Sequence, residues 1–302
     1  MVRIAISTVG DFYLGHRRRF HLSGILILVT LAAFLARDLL SEAGWLVVSD
    51  EALTTTVLVA VFFAALACEY LDSSLGMGYG TTLTPLLLLA GFTPLQIVPA
   101  VLLSELLSGL AAGAMHHRDG NIDLFRNRPA RRTFVLLAML STVGAVTAVV
   151  IAVKIPIFWL TLGITVIVLT MGVVTLLTAG RQIRYRVGGI LGIGLIAAFN
   201  KGLSGGGYGP LVTSGQVVSG VPAKQAVAIT SMAEALTCLV GLGAYLVLAG
   251  AIDWRLTLPL VAGALLSVPL ATATVKRLPE DLIRRAVGGM TLGLVLLMKL
   301  LG

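Results

Sequence analysis

The chain is poor in charged residues. Only 12% of its 302 residues are Asp, Glu, Lys or Arg, whereas soluble domains contain about 25%. Hydrophobic residues make up 57% of the composition, and the uncharged runs at 133–153, 155–180 and 256–275 reach the roughly 20 residues that a helix needs to cross a hydrocarbon core. These runs are continuous rather than alternating, so the sequence predicts an all-α, polytopic membrane protein and not a barrel.

Cysteine is also scarce. The chain has two, Cys68 and Cys238, and both lie within apolar segments. Such residues usually act as small hydrophobic side chains, so we expect neither a disulfide nor a metal site, and we expect no cofactor. The net charge of +8 does not indicate nucleic-acid binding, because the basic residues form short clusters between apolar segments, as in membrane proteins that follow the positive-inside rule.

The basic clusters predict a topology. Those at 17–19, 118–132, 181–186 and 276–285 are expected on the cytoplasmic side of the cell membrane, together with the N-terminus. This arrangement requires one extra N-terminal helix and two sets of five crossings. The extra helix is predicted at about 22–40, the first set at 54–72, 78–92, 94–116, 133–152 and 156–180, and the second at 187–203, 208–220, 222–248, 255–275 and 285–301.

An internal repeat supports this division. GMGYG at 76–80 is matched by GGGYG at 205–209, 129 residues later, and GNID at 120–123 is matched by GAID at 250–253 after a one-residue slip. Because each unit has an odd number of crossings, the second copy must enter the membrane from the opposite side. We therefore expect an N-terminal segment (1–50), a first five-helix repeat (54–180) and an inverted second repeat (187–302). The 129-residue offset also pairs Thr84 with Thr213, Gln96 with Gln225 and Glu105 with Glu234.

Each glycine-rich motif predicts a break in a membrane helix. Non-helical backbone at membrane depth is tolerated only where it is buried in protein or lines a wet cavity, and the helix that restarts after a break presents free N–H groups that attract anions. Two inverted breaks are expected to converge at the bilayer midplane and bind a small anion; the alternative is that the glycines serve only close helix packing. The predicted substrate-binding residues are Gly76, Gly78, Tyr79, Gly80, Thr81, Thr82, Asn200, Lys201, Gly205, Gly206, Gly207, Tyr208 and Gly209.

For the ionisable residues near the breaks, the sequence leaves alternative roles open. Lys201 at the bilayer centre costs about 2.5–3.5 kcal/mol, so it either finds a partner, such as the substrate anion, or extends to the membrane surface. Glu105 and Glu234 either carry coupling protons or hydrogen-bond to a neighbouring helix. Glu69 and Asp72 flank the first break, where they are candidate interfacial caps. His116 and His117 end a crossing and are expected to contact lipid headgroups.

The spaced, repeated motifs resemble those of the sulfite exporter TauE/SafE family of bacterial and archaeal membrane transporters. The resemblance covers about 54–301 and includes the two breaks, the pattern G-(F/V)-(T/P)-x-x-Q at 91–96 and 220–225, and the closing G-x-I-D. It implies proton-driven transport of small sulfur-containing anions such as sulfite, sulfonates or related organic acids. The first break differs from the three successive glycines usual in the family, because Met77 and Tyr79 intervene.

Two other functions compete with a secondary transporter. An ion channel with a GYG pore loop is the alternative, although a potassium filter has Thr-Val before GYG and four equivalent loops, whereas this chain has Gly-Met or Gly-Gly and two copies. A nucleotide-dependent enzyme is not expected, because the run 76–81 lacks the third glycine of the dinucleotide motif and no strand–turn–helix unit surrounds it. The expected partners are a small anion, protons and the lipid bilayer.

Overall fold

The computed structural model describes residues 55–124, 126–152, 187–204, 207–218, 221–248 and 252–279, together with a few isolated positions. The predicted N-terminal helix and the predicted crossings at 156–180 and 285–301 lie almost entirely outside the described residues. The described residues form eight α-helices: α1 (Thr55–Leu75), α2 (Tyr79–Leu89), α3 (Pro94–Arg118), α4 (Arg128–Ala152), α5 (Val187–Ser204), α6 (Tyr208–Val218), α7 (Ala223–Leu248) and α8 (Trp254–Arg277).

The predicted helical membrane architecture is confirmed for this part of the chain. Helices α1, α3, α4, α7 and α8 are long and apolar enough to cross a membrane. Several of the helices also present large apolar side chains outward, which is the surface expected to face lipid rather than water. Examples of such exposed side chains are Phe63, Leu89, Met139, Val143 and Val247.

The start of α4 differs from the prediction. The sequence predicts a crossing from residue 133, after the basic cluster, but the helix begins at Arg128. Asn127 causes the earlier start, because its Oδ1 accepts a hydrogen bond from Ala130 N at 3.1 Å, and Pro129 suits a first helical turn. The charge pattern marks where lipid begins, whereas the cap determines where the helix begins.

Helices α2 and α6 are short. Each has 11 residues, which gives a length of about 16 Å, roughly half of the hydrocarbon thickness of about 30 Å. They begin at Tyr79 and Tyr208, immediately after the two glycine-rich motifs. The helix breaks predicted from glycine are therefore present, and the helix that follows each is too short to cross the membrane alone.

The GFTPLQ sequence at 91–96 ends α2 and begins α3. Gly91 has φ +93°, a left-handed conformation that favours glycine. Thr93 then caps α3, and its N–H donates to Gln96 Oε1 at 2.9 Å to complete a capping box. Gln96 also reaches the second half of the chain, since its Nε2 donates to Asp253 Oδ2 at 3.2 Å.

The second half repeats this long-range contact. Asp253 is the N-cap of α8 and accepts from Arg255 N at 3.1 Å. Gln225, which stands where Gln96 does in the first half, accepts a hydrogen bond at 3.1 Å from Asn127, the residue that caps α4. Each motif glutamine therefore binds the residue that caps a long helix of the other half.

The packing of the helices also joins each half of the chain to the other. Helix α1 packs along α8, α5 packs along α4, and α3 and α7 pack against each other as well as against α8 and α4. Small residues permit these contacts: a Cβ on Gly202 would lie 2.8 Å from Ala145 O, and a Cβ on Gly109 would lie 2.9 Å from Ser231 O. The two halves are thus joined by helices that pack on the opposite half.

Candidate functional site

The two helix breaks meet in the interior of the protein. Gly207 N donates to Thr81 Oγ1 at 3.2 Å, and Thr213 Oγ1 donates to Gly76 O at 2.6 Å. Gly76 and Gly207 have φ values of +72° and +76°, so both turns use the left-handed backbone that favours glycine. All of these contacts are buried, and each break satisfies backbone groups that the other exposes.

Gly209 brings the two backbones into direct contact. A Cβ at this position would lie 2.7 Å from Met77 Cα and would collide with Gly76 O. Such separations are shorter than van der Waals contact, so a side chain at position 209 would push the breaks apart. Gly209 therefore acts through close backbone approach, which is the role that the helix-packing interpretation of the glycines predicts, but it acts at the breaks themselves.

Carboxylates cap the first amides of α2. Tyr79 N donates to Asp72 Oδ1 at 3.3 Å, and Gly80 N donates to Glu105 Oε1 at 3.2 Å. Asp72 lies near the end of α1 and Glu105 near the middle of α3, so the start of α2 is held by side chains from both neighbouring helices. A helix N-terminus favours negative charge, and here the protein provides it.

Lys201 is fully buried and forms ion pairs within the protein. Its Nζ contacts Glu105 Oε2 and lies 2.8 Å from Glu234 Oε1. Lys201 therefore does not extend to the membrane surface. A buried charge requires a partner, and for Lys201 that partner is a pair of carboxylates, Glu105 on α3 and Glu234 on α7. These two glutamates occupy equivalent positions of the sequence repeat.

Glu69 belongs to the same buried region. Its Oε1 accepts from Ser73 Oγ at 2.6 Å and its Oε2 accepts from Ser108 Oγ at 3.0 Å. Asp72 and Glu69 are both buried, so the interpretation of these residues as interfacial caps is wrong. Asp72 is a cap, but of an interior helix.

The tyrosine hydroxyls are directed towards neighbouring helices. Tyr79 Oη lies 2.6 Å from Ser104 Oγ on α3, and Tyr208 Oη lies 3.4 Å from Ser141 Oγ on α4. Both tyrosines are fully buried. Their first role is to fix the starts of α2 and α6 against the long helices.

These distances predict unequal costs of removing the two hydroxyls. Tyr79→Phe is expected to lower the free energy of unfolding by about 1–3 kcal/mol, because Ser104 loses a short buried hydrogen bond. Tyr208→Phe is the matched control and should cost less, because the bond between Tyr208 Oη and Ser141 Oγ is long, and Thr237, the other hydroxyl neighbour of Tyr208, keeps its own hydrogen bond to Ala233 O. Denaturant titration of the purified variants measures both values. A larger loss for Tyr208→Phe would contradict the assignment.

Two further predicted site residues, Thr82 and Asn200, lie around the same contact. Thr82 is partly buried, and its N–H donates to Gly78 O at 3.0 Å within the first turn of α2. Asn200 is fully buried, and its side-chain amide fills the space beside Gly207. Gly205 and Gly206 lie outside the described residues. Among those residues, no group of three or more His, Cys, Asp and Glu side chains has the arrangement of a metal site.

His116 differs from its expected position. It is fully buried, with its Nε2 3.0 Å from Ser73 O and its Nδ1 3.0 Å from Asn121 Nδ2. The expected headgroup contact is therefore wrong for His116, whereas His117 is exposed. The sequence position at a helix end indicated the membrane surface, but the interhelical contact with α1 covers the ring.

Reasoning from the sequence missed that Asp72 caps α2 at the site and that Glu69 is buried next to the site. A signal for Asp72 was present, because the 129-residue offset of the repeat places it at the position equivalent to Lys201. Opposite charges at equivalent positions of two copies are a reason to test whether both enter one cluster. Glu69 has Ala198 at its equivalent position, so the repeat carries no signal for it.

Comparison with known proteins adds an independent observation. A family model described as "Sulfite exporter TauE/SafE" matches residues 58–298. The chain is also 26% identical over 245 residues to the "Probable membrane transporter protein YtnM" of Bacillus subtilis (strain 168), an alignment that covers 77% of this chain and 79% of that protein. No solved structure matches the chain.

Proposed function

Because the chain belongs to the sulfite exporter TauE/SafE family, we propose that this membrane transporter carries small anions, with sulfite and organosulfur oxyanions such as sulfonates as its substrates. The proposed mechanism is secondary transport by alternating access around the contact between the two helix breaks. The observation that carries this proposal is the buried meeting of the breaks at Gly207 and Thr81 beside the charged side chain of Lys201.

The proposed architecture is a pair of inverted repeats. Support comes from the reciprocal contacts of the halves: α1 packs on α8 while α5 packs on α4, and Gln96 binds the cap of α8 while Gln225 binds the cap of α4. Two copies related by a twofold axis in the membrane plane produce such an exchange. Rocking of one repeat against the other would then open the site to each side in turn.

The proposed anion site combines a charge with backbone donors. Lys201 Nζ supplies the positive charge, and Tyr79 N, Gly80 N and Gly207 N supply oriented hydrogen-bond donors at the starts of short helices. The hydroxyls of Thr81 and Thr82 and the amide of Asn200 complete the proposed contacts. Gly76, Gly78 and Gly209 allow the backbone to approach, and Tyr79 and Tyr208 hold the short helices in place. Gly205 and Gly206 are included in the proposed site on the sequence motif alone.

The charges around this site support the proposed proton coupling. Glu69, Asp72, Glu105 and Glu234 are four buried carboxyl groups that share the region with buried Lys201. An excess of uncompensated negative charge is costly in a low-dielectric interior, and it would repel an anion. Protonation of carboxyl groups removes both difficulties, so we assign Glu105 and Glu234 as the groups that take up coupling protons.

The test of this function is flux into proteoliposomes. We expect saturable uptake of sulfite or of a sulfonate such as methanesulfonate, accelerated by a proton gradient. Protein-free liposomes provide the control for passive entry. Absence of anion flux, or potassium flux that is insensitive to the proton gradient, would contradict the proposal and favour the channel.

Neutral glutamines at the two coupling positions are expected to uncouple transport. In Glu105→Gln and in Glu234→Gln, anion exchange should persist while its acceleration by the proton gradient falls to about the level without a gradient, because the amide cannot carry the coupling proton. Parallel flux assays with and without an imposed gradient measure the loss. Full gradient dependence in both variants would remove the assignment.

The proposed location is the cell membrane, with the N-terminus and the basic clusters in the cytoplasm. The basic cluster that precedes and begins α4 is exposed at Arg126, Arg128, Arg131 and Arg132. A thiol reagent can therefore reach a cysteine introduced there. A cysteine in place of Arg126 should react with a membrane-impermeant thiol reagent only after the cells are opened. Reaction in intact cells would reverse the proposed orientation.

A further inference from the structure

Glu105 binds two of the donors assigned above to the substrate. Its Oε1 accepts from Gly80 N at 3.2 Å, and its Oε2 forms an ion pair with Lys201 Nζ. A carboxylate and a sulfonate present similar charged oxygens to such donors, and the donors cannot serve both at once. We propose that Glu105 and the substrate anion compete for Gly80 N and Lys201, and that Glu105 takes up a proton when the anion binds. This inference rests on the proposed function.

Glu234 stays ionised beside Lys201 while the anion binds, and it takes up its proposed coupling proton at another step of the transport cycle. Its Oε1 lies 2.8 Å from Lys201 Nζ, and its Oε2 has no hydrogen-bond partner within the described part of the chain. In contrast, both carboxylate oxygens of Glu105 have partners, and one of them accepts a hydrogen bond from the backbone N–H of Gly80 at the first break. Departure of Glu105 frees a helix-start amide, while Glu234 continues to balance part of the charge of Lys201.

A displaced Glu105 cannot remain ionised at low cost, because of the groups that face it. The helices packed against α3 are α1, α2, α5, α7 and α8. Within the described residues, the charged side chains of α8 are confined to its ends, at Arg255, Lys276 and Arg277. The titratable groups that face Glu105 are Glu69 and Asp72 from α1, Tyr79 from α2, Lys201 from α5, and Glu234 and Cys238 from α7.

Lys201 is the cation in that set, and displacement by an anion removes it from Glu105. The carboxylate would then be buried next to other carboxyl groups without a partner, which is strongly unfavourable. A buffer acid in the aqueous phase releases a proton as its own bond to that proton breaks, and its conjugate base stays in solution. The proton forms an O–H bond on Glu105 and neutralises the carboxylate. The Gly80 N–H and Lys201 Nζ contacts to Glu105 break, and an oxygen of the anion accepts both.

The net charge of the site does not change when a monoanion replaces Glu105 as the partner of Lys201 and Gly80 N. The site loses one negative charge when Glu105 is protonated and gains one when the anion enters. Binding therefore takes up about one proton per monoanion. Where Glu105 is ionised in the free protein, the affinity for the anion falls by up to about tenfold for each unit of pH increase.

Methanesulfonate is a suitable probe because it stays ionised across the accessible pH range, so any proton taken up goes to the protein. Calorimetric titration in buffers of different ionisation enthalpy counts these protons. The wild-type protein is expected to take up about one proton per anion. Glu105→Gln is expected to bind methanesulfonate with no proton uptake and with a Kd that does not change with pH.

Glu69→Gln is the matched control. Glu69 is buried, and it accepts its hydrogen bonds from Ser73 and Ser108 rather than from Lys201 or a break amide. This variant should retain the uptake of about one proton. Loss of uptake in Glu69→Gln with retention in Glu105→Gln would overturn the inference.

The proton count of the wild-type protein decides the inference even where a variant does not fold. Binding of methanesulfonate without proton uptake overturns the competition with Glu105 and leaves the proposed function in place. Absence of binding for both methanesulfonate and sulfite overturns the proposed function itself.

Discussion

Lys201→Met is expected to lower the free energy of unfolding by about 3–5 kcal/mol at neutral pH. Methionine preserves the length and much of the volume of the side chain, so the loss reports the charge. Glu105 and Glu234 would remain buried without their shared cation. Denaturant titration in detergent micelles measures the stability, and methanesulfonate binding should also be lost because the positive charge of the proposed site is gone.

The matched control and a rescue variant separate charge from packing. Lys276→Met makes the same chemical change at an exposed position and should change stability by less than about 0.5 kcal/mol. Adding Glu105→Gln and Glu234→Gln to Lys201→Met removes the unpaired charges and should restore part of the stability. If the triple variant is no more stable than Lys201→Met, the stability lost with the lysine does not come from its ion pairs with Glu105 and Glu234.

Gly209→Ala is expected to abolish transport and to lower the free energy of unfolding by about 1–3 kcal/mol through overpacking. The added Cβ would lie 2.7 Å from Met77 Cα and would collide with Gly76 O, and both of these neighbours are backbone atoms that cannot rotate away. The breaks must therefore separate, which disturbs the hydrogen bond from Gly207 to Thr81. Flux assays and denaturant titration provide the two readouts.

Gly243→Ala is the matched control for this substitution. Gly243 lies in α7, and a Cβ there meets no atom within 4 Å. Alanine is the better helix former by about 1 kcal/mol, so this variant should be as stable as the wild-type protein or more so, with normal flux. Normal flux in Gly209→Ala would show that transport does not depend on close contact between the breaks.

The sequence alone was sufficient to predict most of the helices in the described part of the chain. Uninterrupted apolar runs predict membrane helices directly, and the crossing predicted at 54–72 corresponds to Thr55–Leu75. The glycine motifs predict breaks because only glycine readily adopts φ values such as the +72° of Gly76. The start of α4 was missed because it depends on a hydrogen bond from Ala130 N to the side chain of Asn127, and a hydropathy profile carries no information about such a bond.

The candidate site was less predictable, because its contacts join helices that are distant in sequence. Glu105 and Lys201 are 96 residues apart, and neither periodicity nor charge pattern specifies which interior side chains meet. The need of Lys201 for a partner followed from the cost of burying its charge, but the identity of the partner did not. His116 was misplaced for the same reason, since contact with Ser73 depends on how α3 packs against α1.

The position of a bound anion tests the central claim most directly. Selenite is a chemical analogue of sulfite, and its selenium scatters X-rays anomalously, so crystals of the protein grown with selenite would reveal where the anion binds. The account predicts an anomalous peak between the two breaks, at ion-pair distance from Lys201 Nζ and next to Gly80 N, with Glu105 displaced. A peak only at the protein surface, with Glu105 still bound to Lys201, would contradict it.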